Sequence, residues 1–167
     1  MDSKKRIRVF HRTFKINRAW WSYCFGWFIE NQLKHLPRNI IGITRTNNVK
    51  ELAEIYTSAN VFFNPTLEEN FPTVNLESQA CGTPVISFNT GGSIETIDDT
   101  TGFIVEKGDL ENTIKIIRKI KSEGKEKYSE FCIKRANKYY NKDDKFQEYI
   151  ELYKSLGEEV DLWQKVK

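Results

Sequence analysis

Leu67–Ile86 reads LEENFPTVNLESQACGTPVI, and this stretch decides the fold. Pro72 suits the first turn of a helix, where its missing N–H would have had no partner anyway. Gly82 suits the stop. PTVNLESQACG is therefore a predicted helix. The apolar run NVFFNPT before it, closed by Asn64 and Pro65, is a predicted buried strand, and PVISF after it is another.

Outward from this core the pattern repeats. NIIGIT (39–44) is a β-branched strand and RTNN a turn. VKELAEIYTSA carries Val49, Leu52, Ile55 and Tyr56 at the spacing of an amphipathic helix. Downstream, NTGGS is a glycine turn, SIETIDDT holds a short helical turn, and TGFIVEKGD is a strand with its turn. LENTIKIIRKIKS is a helix with Ile114, Ile117 and Ile120 on one face, and two more helices follow near Tyr128–Tyr139 and Asp143–Leu156. Strands that are nearly all apolar and alternate with helices predict an α/β, Rossmann-like parallel sheet flanked by helices. Such sheets place ligands beyond the C-terminal ends of their strands.

The chain has 167 residues, enough for one domain with a real core. It is 39% hydrophobic and 29% charged, with a formal net charge of +3, so no nucleic-acid partner is expected. Cys24, Cys81 and Cys132 are an odd number at wide spacing, which predicts reduced thiols in a cytoplasm. His11 and His35 stand alone, and Asp98-Asp99 and Asp143-Asp144 read as surface charge, so no metal is expected. Residues 1–18 carry Lys4, Lys5, Arg6, Arg8, Arg12, Lys15 and Arg18 against Asp2. AWWSYCFGWFI (19–29) follows and is too short to span a membrane. A basic, aromatic start of this kind suits either a loosely packed terminus or peripheral contact with an anionic membrane face.

The loop after NVFFNPT carries Glu68, Glu69 and Asn70, and the helix begins near Phe71–Thr73. A helix start offers free amides and a positive dipole end, a seat for phosphate. Pro72 has no N–H, so the donors are Thr73, Val74 and Phe71. Glu77, about one turn further in, can accept bonds from two neighbouring hydroxyls, as an acidic residue does for ribose in dinucleotide folds. On spacing alone Glu77 is equally a solvated helix glutamate, and Glu69 a loop charge facing the helix dipole. Thr90-Gly91-Gly92-Ser93 forms a second glycine turn, where backbone can approach a ligand closely, with Glu95 just after it. It lacks the GxGxxG spacing of a nicotinamide-cofactor site.

The spacing is specific. Glu69-Asn-Phe-Pro-Thr-Val-Asn-Leu-Glu77 places seven residues between two glutamates, followed by Ser-Gln-Ala-Cys-Gly-Thr-Pro-Val-Ile. With Thr90-Gly-Gly-Ser-Ile-Glu95 and Thr101-Gly-Phe-Ile-Val in order behind it, residues 30–167 resemble the donor-binding, C-terminal domain of a GT-B glycosyltransferase of the retaining family 4. The resemblance implies a single, partial GT-B domain preceded by an unrelated basic and aromatic segment, 1–29. It implies that Glu77 holds the nucleotide ribose and that Glu69 contacts the transferring sugar. It further implies that Asn70, Phe71, Thr73 and Val74 line the sugar or diphosphate, with Gly91 and Gly92 beside them and the loop at Thr44 near the base. Pro72 stands where many relatives have glycine. The Arg and Lys that relatives use to neutralise the diphosphate have no recognisable counterpart before Asn39.

The activity so implied moves a sugar from a nucleotide sugar, as substrate, to an acceptor glycan or lipid-linked saccharide, with retention and with no cofactor. The setting expected is the cytoplasm or the inner face of the membrane. The acceptor-binding domain is missing, so a truncated product is expected, or else a non-catalytic nucleotide-binding module that needs a separate acceptor-domain chain. In the family the last helix packs on the acceptor domain. Here the aromatic stripe Tyr139, Tyr140, Phe146, Tyr149 and Tyr153 fits that role or packing on the chain's own sheet.

Overall fold

β-branched and aromatic runs become strands, and the amphipathic stretches between them become helices. The computed structural model describes residues 23–25, 33, 34, 36 and 40–165. His11, His35 and the basic stretch 1–18 lie outside the described residues. The order is β1 (Tyr23–Phe25), β2 (Ile40–Gly42), α1 (Val49–Ser58), β3 (Phe62–Asn64), α2 (Thr73–Ala80), β4 (Val85–Phe88), a 3-10 turn (Gly91–Thr96), β5 (Gly102–Val105), α3 (Leu110–Glu123), α4 (Glu126–Tyr140) and α5 (Lys142–Lys165).

Among the described residues every strand pairing is parallel. β4 lies between β3 and β5, and Val85, Ile86, Ser87 and Phe88 are all fully buried, as a strand covered on both faces must be. Ile86, Phe88 and Val105 of this sheet pack with Ile117 and Ile120 of α3 and with Tyr128 and Cys132 of α4. The predicted isoleucine face of α3 is thus the one that covers the sheet. Cys81 and Cys132 are free thiols.

The described strands form two groups, β1–β2 and β3–β4–β5. The strand at Tyr23–Phe25 falls within the stretch read from sequence as an aromatic terminus. In a doubly wound sheet the first strand is central, with the second and third on one side and the fourth onward on the other. The described groups β1–β2 and β3–β4–β5 each follow neighbouring pairings of such an order.

Helix ends are set locally. Asn48 caps α1 by accepting the Glu51 amide at 2.9 Å, and the Glu51 carboxylate reaches back to the Asn47 amide at 2.7 Å. Gly82 takes φ +72° just past the end of α2, the conformation glycine tolerates at a helix C-terminus. α5 leaves Phe146, Tyr149 and Tyr153 at least 60% exposed, so this part of the aromatic stripe does not pack on the chain's own sheet. Among the described residues no helix is long and apolar enough to cross a membrane.

Candidate donor-binding site

α2 starts one residue later than the sequence suggests. Pro72 is the N-cap residue, with φ −79° and ψ 96°, and no side chain caps the helix. The first amide that turns inward is Asn75, which donates to Pro72 O at 3.0 Å. Among the described residues the amides of Thr73 and Val74 carry no hydrogen bond. Both residues are at least partly exposed, and Phe71 is 40% exposed. Two free donors and the positive helix end therefore open to solvent together, an arrangement suited to an anion.

The loop in front of this helix is held from several sides. Thr66 Oγ1 donates to Glu68 O at 3.0 Å, and Thr90 Oγ1 donates to Thr66 O at 3.2 Å. Lys107 Nζ, from the turn after β5, donates to Leu67 O at 2.8 Å. Gly91 and Gly92 lie flush against the same loop. A Cβ on Gly91 would stand 1.8 Å from Glu69 O, and one on Gly92 would stand 1.9 Å from Asn70 O. The close approach these glycines permit is thus first to the chain's own backbone. The Glu69 carboxylate turns back to accept the Asn70 amide at 3.1 Å.

Glu77 is exposed on α2, and its Oε2 accepts a hydrogen bond from the Tyr56 hydroxyl at 3.3 Å. Burial first, then the Glu77 charge, push the Tyr56 phenol well above its usual range, so it stays a donor. Sequence reading took Tyr56 only as part of the apolar face of α1. Thr44 sits in the exposed loop between β2 and α1 and shares no hydrogen bond with the other site residues.

Beneath the site runs a buried polar relay that sequence reading also missed. Asn64 Nδ2 donates to Asn75 Oδ1 at 3.0 Å, and Asn75 Nδ2 donates to Thr96 Oγ1 at 2.9 Å. Thr96 Oγ1 then donates to Ser93 O at 2.7 Å. This ties the end of β3, the first turn of α2 and the 3-10 turn together. The available signal was polar residues at positions where helix and strand periodicity demand burial.

Asp98, read from sequence as surface charge, is instead a structural acceptor. It takes bonds from the Thr100 amide at 2.9 Å, Thr100 Oγ1 at 2.6 Å and Thr101 Oγ1 at 3.1 Å, and an ion pair from Arg135 Nη1 at 2.7 Å. Arg135 also donates to Glu95 O at 2.9 Å and lies over the rings of Tyr139 and Tyr140. Burial alone would raise the Asp98 pKa, but the Thr100 bonds, the Arg135 charge and Thr101 outweigh it and hold it low. A carboxyl whose folded pKa is depressed adds stability that is present above its unfolded pKa of about 3.9 and lost as pH falls through the lower folded value. Asp98→Asn is therefore expected to cost about 1–2 kcal/mol at pH 7 once solvent screening is allowed for. The gap between the thermal midpoints of the two proteins should narrow as pH falls below about 4. Equal gaps at pH 7 and pH 3 would contradict this.

A family model described as glycosyl transferases group 1 matches residues 28–139. The chain belongs to that family. Over 74 residues this family member is 42% identical to the capsular polysaccharide biosynthesis glycosyltransferase CapM of Staphylococcus aureus, a match covering 44% of this chain and 20% of that one. Over 57 residues it is 47% identical to a D-inositol 3-phosphate glycosyltransferase of Paenarthrobacter aurescens, covering 34% of this chain and 14% of the relative. The matched part is thus a fifth or less of these relatives' length. In structure it resembles Anabaena HepE, solved in complex with UDP, with TM-score 0.71 and 17% identity over 89% of this chain and 44% of that one. That likeness shows the fold, the α/β arrangement of a GT-B glycosyltransferase.

Proposed function

We propose that this chain is the donor-binding half of a retaining family 4 glycosyltransferase. It takes a nucleotide sugar as substrate and serves transfer of the sugar to an acceptor glycan or lipid-linked saccharide in cell-envelope polysaccharide synthesis. The observation that carries the reading is the uncapped start of α2, with the Glu77 carboxylate one turn inside it. Glu77 accepts the ribose hydroxyls. The amides of Thr73 and Val74 and the helix dipole take up the diphosphate charge, which grows as the bond to the sugar breaks. Glu69, Asn70 and Phe71 meet the sugar, Gly91 and Gly92 support that loop from below, and Thr44 lies towards the base. The contribution of these groups is alignment and leaving-group stabilisation. The capsular name of the Staphylococcus aureus relative and the UDP held by HepE support this assignment.

A second reading is a non-catalytic nucleotide-binding module that acts with a partner chain. The exposed aromatic residues of α5 favour it. One experiment separates the two. The chain is mixed with labelled UDP-, GDP- or ADP-sugars, with and without a purified acceptor-binding domain from a relative. Saturable binding, with sugar released or transferred once that domain is added, supports the transferase. Binding without turnover under either condition supports the module, and no binding at all contradicts both. Contact with the inner face of the membrane, in a cytoplasmic protein, is part of the same proposal. Its support is the basic stretch 1–18.

A further inference from the structure

Tyr56 lies in the last turn of α1 and is 9% exposed. Its ring meets Phe62 edge-on, with centroids 5.4 Å apart and planes at 86°. Its backbone is fixed as well, since Tyr56 O accepts Thr83 Oγ1 at 2.6 Å and the Ala59 amide at 3.1 Å. The one polar atom of its side chain is thus placed rigidly, and it points at Glu77 Oε2, 3.3 Å away.

We propose that Tyr56 is a positioning residue for nucleotide recognition: its hydroxyl holds one oxygen of Glu77 so that the other is turned towards the vicinal hydroxyls of a ribose. The proposal rests on the donor-site reading above. An exposed glutamate has three rotatable bonds, and fixing them on binding a ligand costs free energy. A carboxylate already tethered at one oxygen loses less of that freedom. The 3.3 Å separation is long for an O–H···O bond, so the tether leaves the carboxylate room to close on a ligand. The phenol is a donor and Glu77 an acceptor, so the pair keeps one polarity and the free oxygen is left to accept from ribose.

The test uses the full chain as wild type, Tyr56→Phe, Glu77→Ala and the double variant. Each is titrated calorimetrically with UDP, GDP and ADP and with their 2′,3′-dideoxy counterparts. Wild type is expected to prefer the ribonucleotide. Tyr56→Phe should weaken ribonucleotide binding about five- to tenfold and leave the dideoxy nucleotide within about twofold. In the Glu77→Ala background Tyr56→Phe should add nothing, because the hydroxyl acts only through that carboxylate. Equal losses for both nucleotides, or additive losses in the double variant, would make Tyr56 a packing residue and overturn the proposal. So would a Tyr56→Phe chain that no longer folds. If wild type binds none of the nucleotides, the donor-site reading fails first. If wild type discriminates ribose and Tyr56→Phe discriminates equally well, only the role of Tyr56 fails.

Discussion

Gly91→Ala is expected to lower stability by about 2–4 kcal/mol and to weaken nucleotide binding at least about tenfold. Gly91 sits at φ +45°, a region that disfavours any residue with a Cβ. The added methyl would stand 1.8 Å from Glu69 O, and the obstacle is backbone, with no flexible side-chain end to give way. Either the turn or the Glu69–Asn70 loop must move. That loop leads directly into the free amides of Thr73 and Val74, so stability and binding fall together. Gly92→Ala should behave alike, with its clash at Asn70 O. In a domain of this size such a loss lowers the thermal midpoint by roughly 5–15 °C. Calorimetric melting and UDP titration of the same sample check both halves. A variant that melts like wild type and binds like wild type would show that the loop tolerates displacement.

Asn75→Leu is the second large effect, with an expected cost of about 2–4 kcal/mol. Leucine has the same side-chain branching as asparagine but is bulkier, and it offers neither donor nor acceptor, so overpacking of the buried site adds to the loss. Asn64 Nδ2 loses its acceptor and Thr96 Oγ1 its donor, and all three side chains are buried. Thr96→Val removes the same link from the other end. The double variant should therefore cost clearly less than the sum of the two single ones. Melting curves of the four proteins decide the matter. Strict additivity would mean that the relay does not act as a unit.

Much of this architecture is written locally. The apolar runs around Phe62, Ile86 and Phe103 could only be buried strands, and the uncapped proline start before Thr73 announces an open helix end. The spacing from Glu69 to Glu77 is likewise a property of one short stretch. What sequence reading missed depends on pairs far apart in the chain. Tyr56 meets Glu77 across 21 positions, Arg135 meets Asp98 across 37, and Lys107 reaches Leu67 across 40. A tyrosine on an amphipathic helix has the same local signature whether or not its hydroxyl has a task. An aspartate in a turn before a strand looks solvated until the arginine three elements later folds over it. The glycine pair was legible as a place of close approach, but the surface approached, Glu69–Asn70, emerges only from the fold.

The central claim is that the start of α2 and Glu77 form a nucleotide site. The most direct measurement is backbone amide NMR of the full chain titrated with UDP, GDP and ADP, repeated with Glu77→Ala. The account predicts saturable shifts for at least one nucleotide, centred on Thr73–Glu77 and reaching Gly91 and Gly92, and their loss or strong weakening in Glu77→Ala. A well-dispersed spectrum that shows a folded chain and does not move with any of the three nucleotides would contradict it.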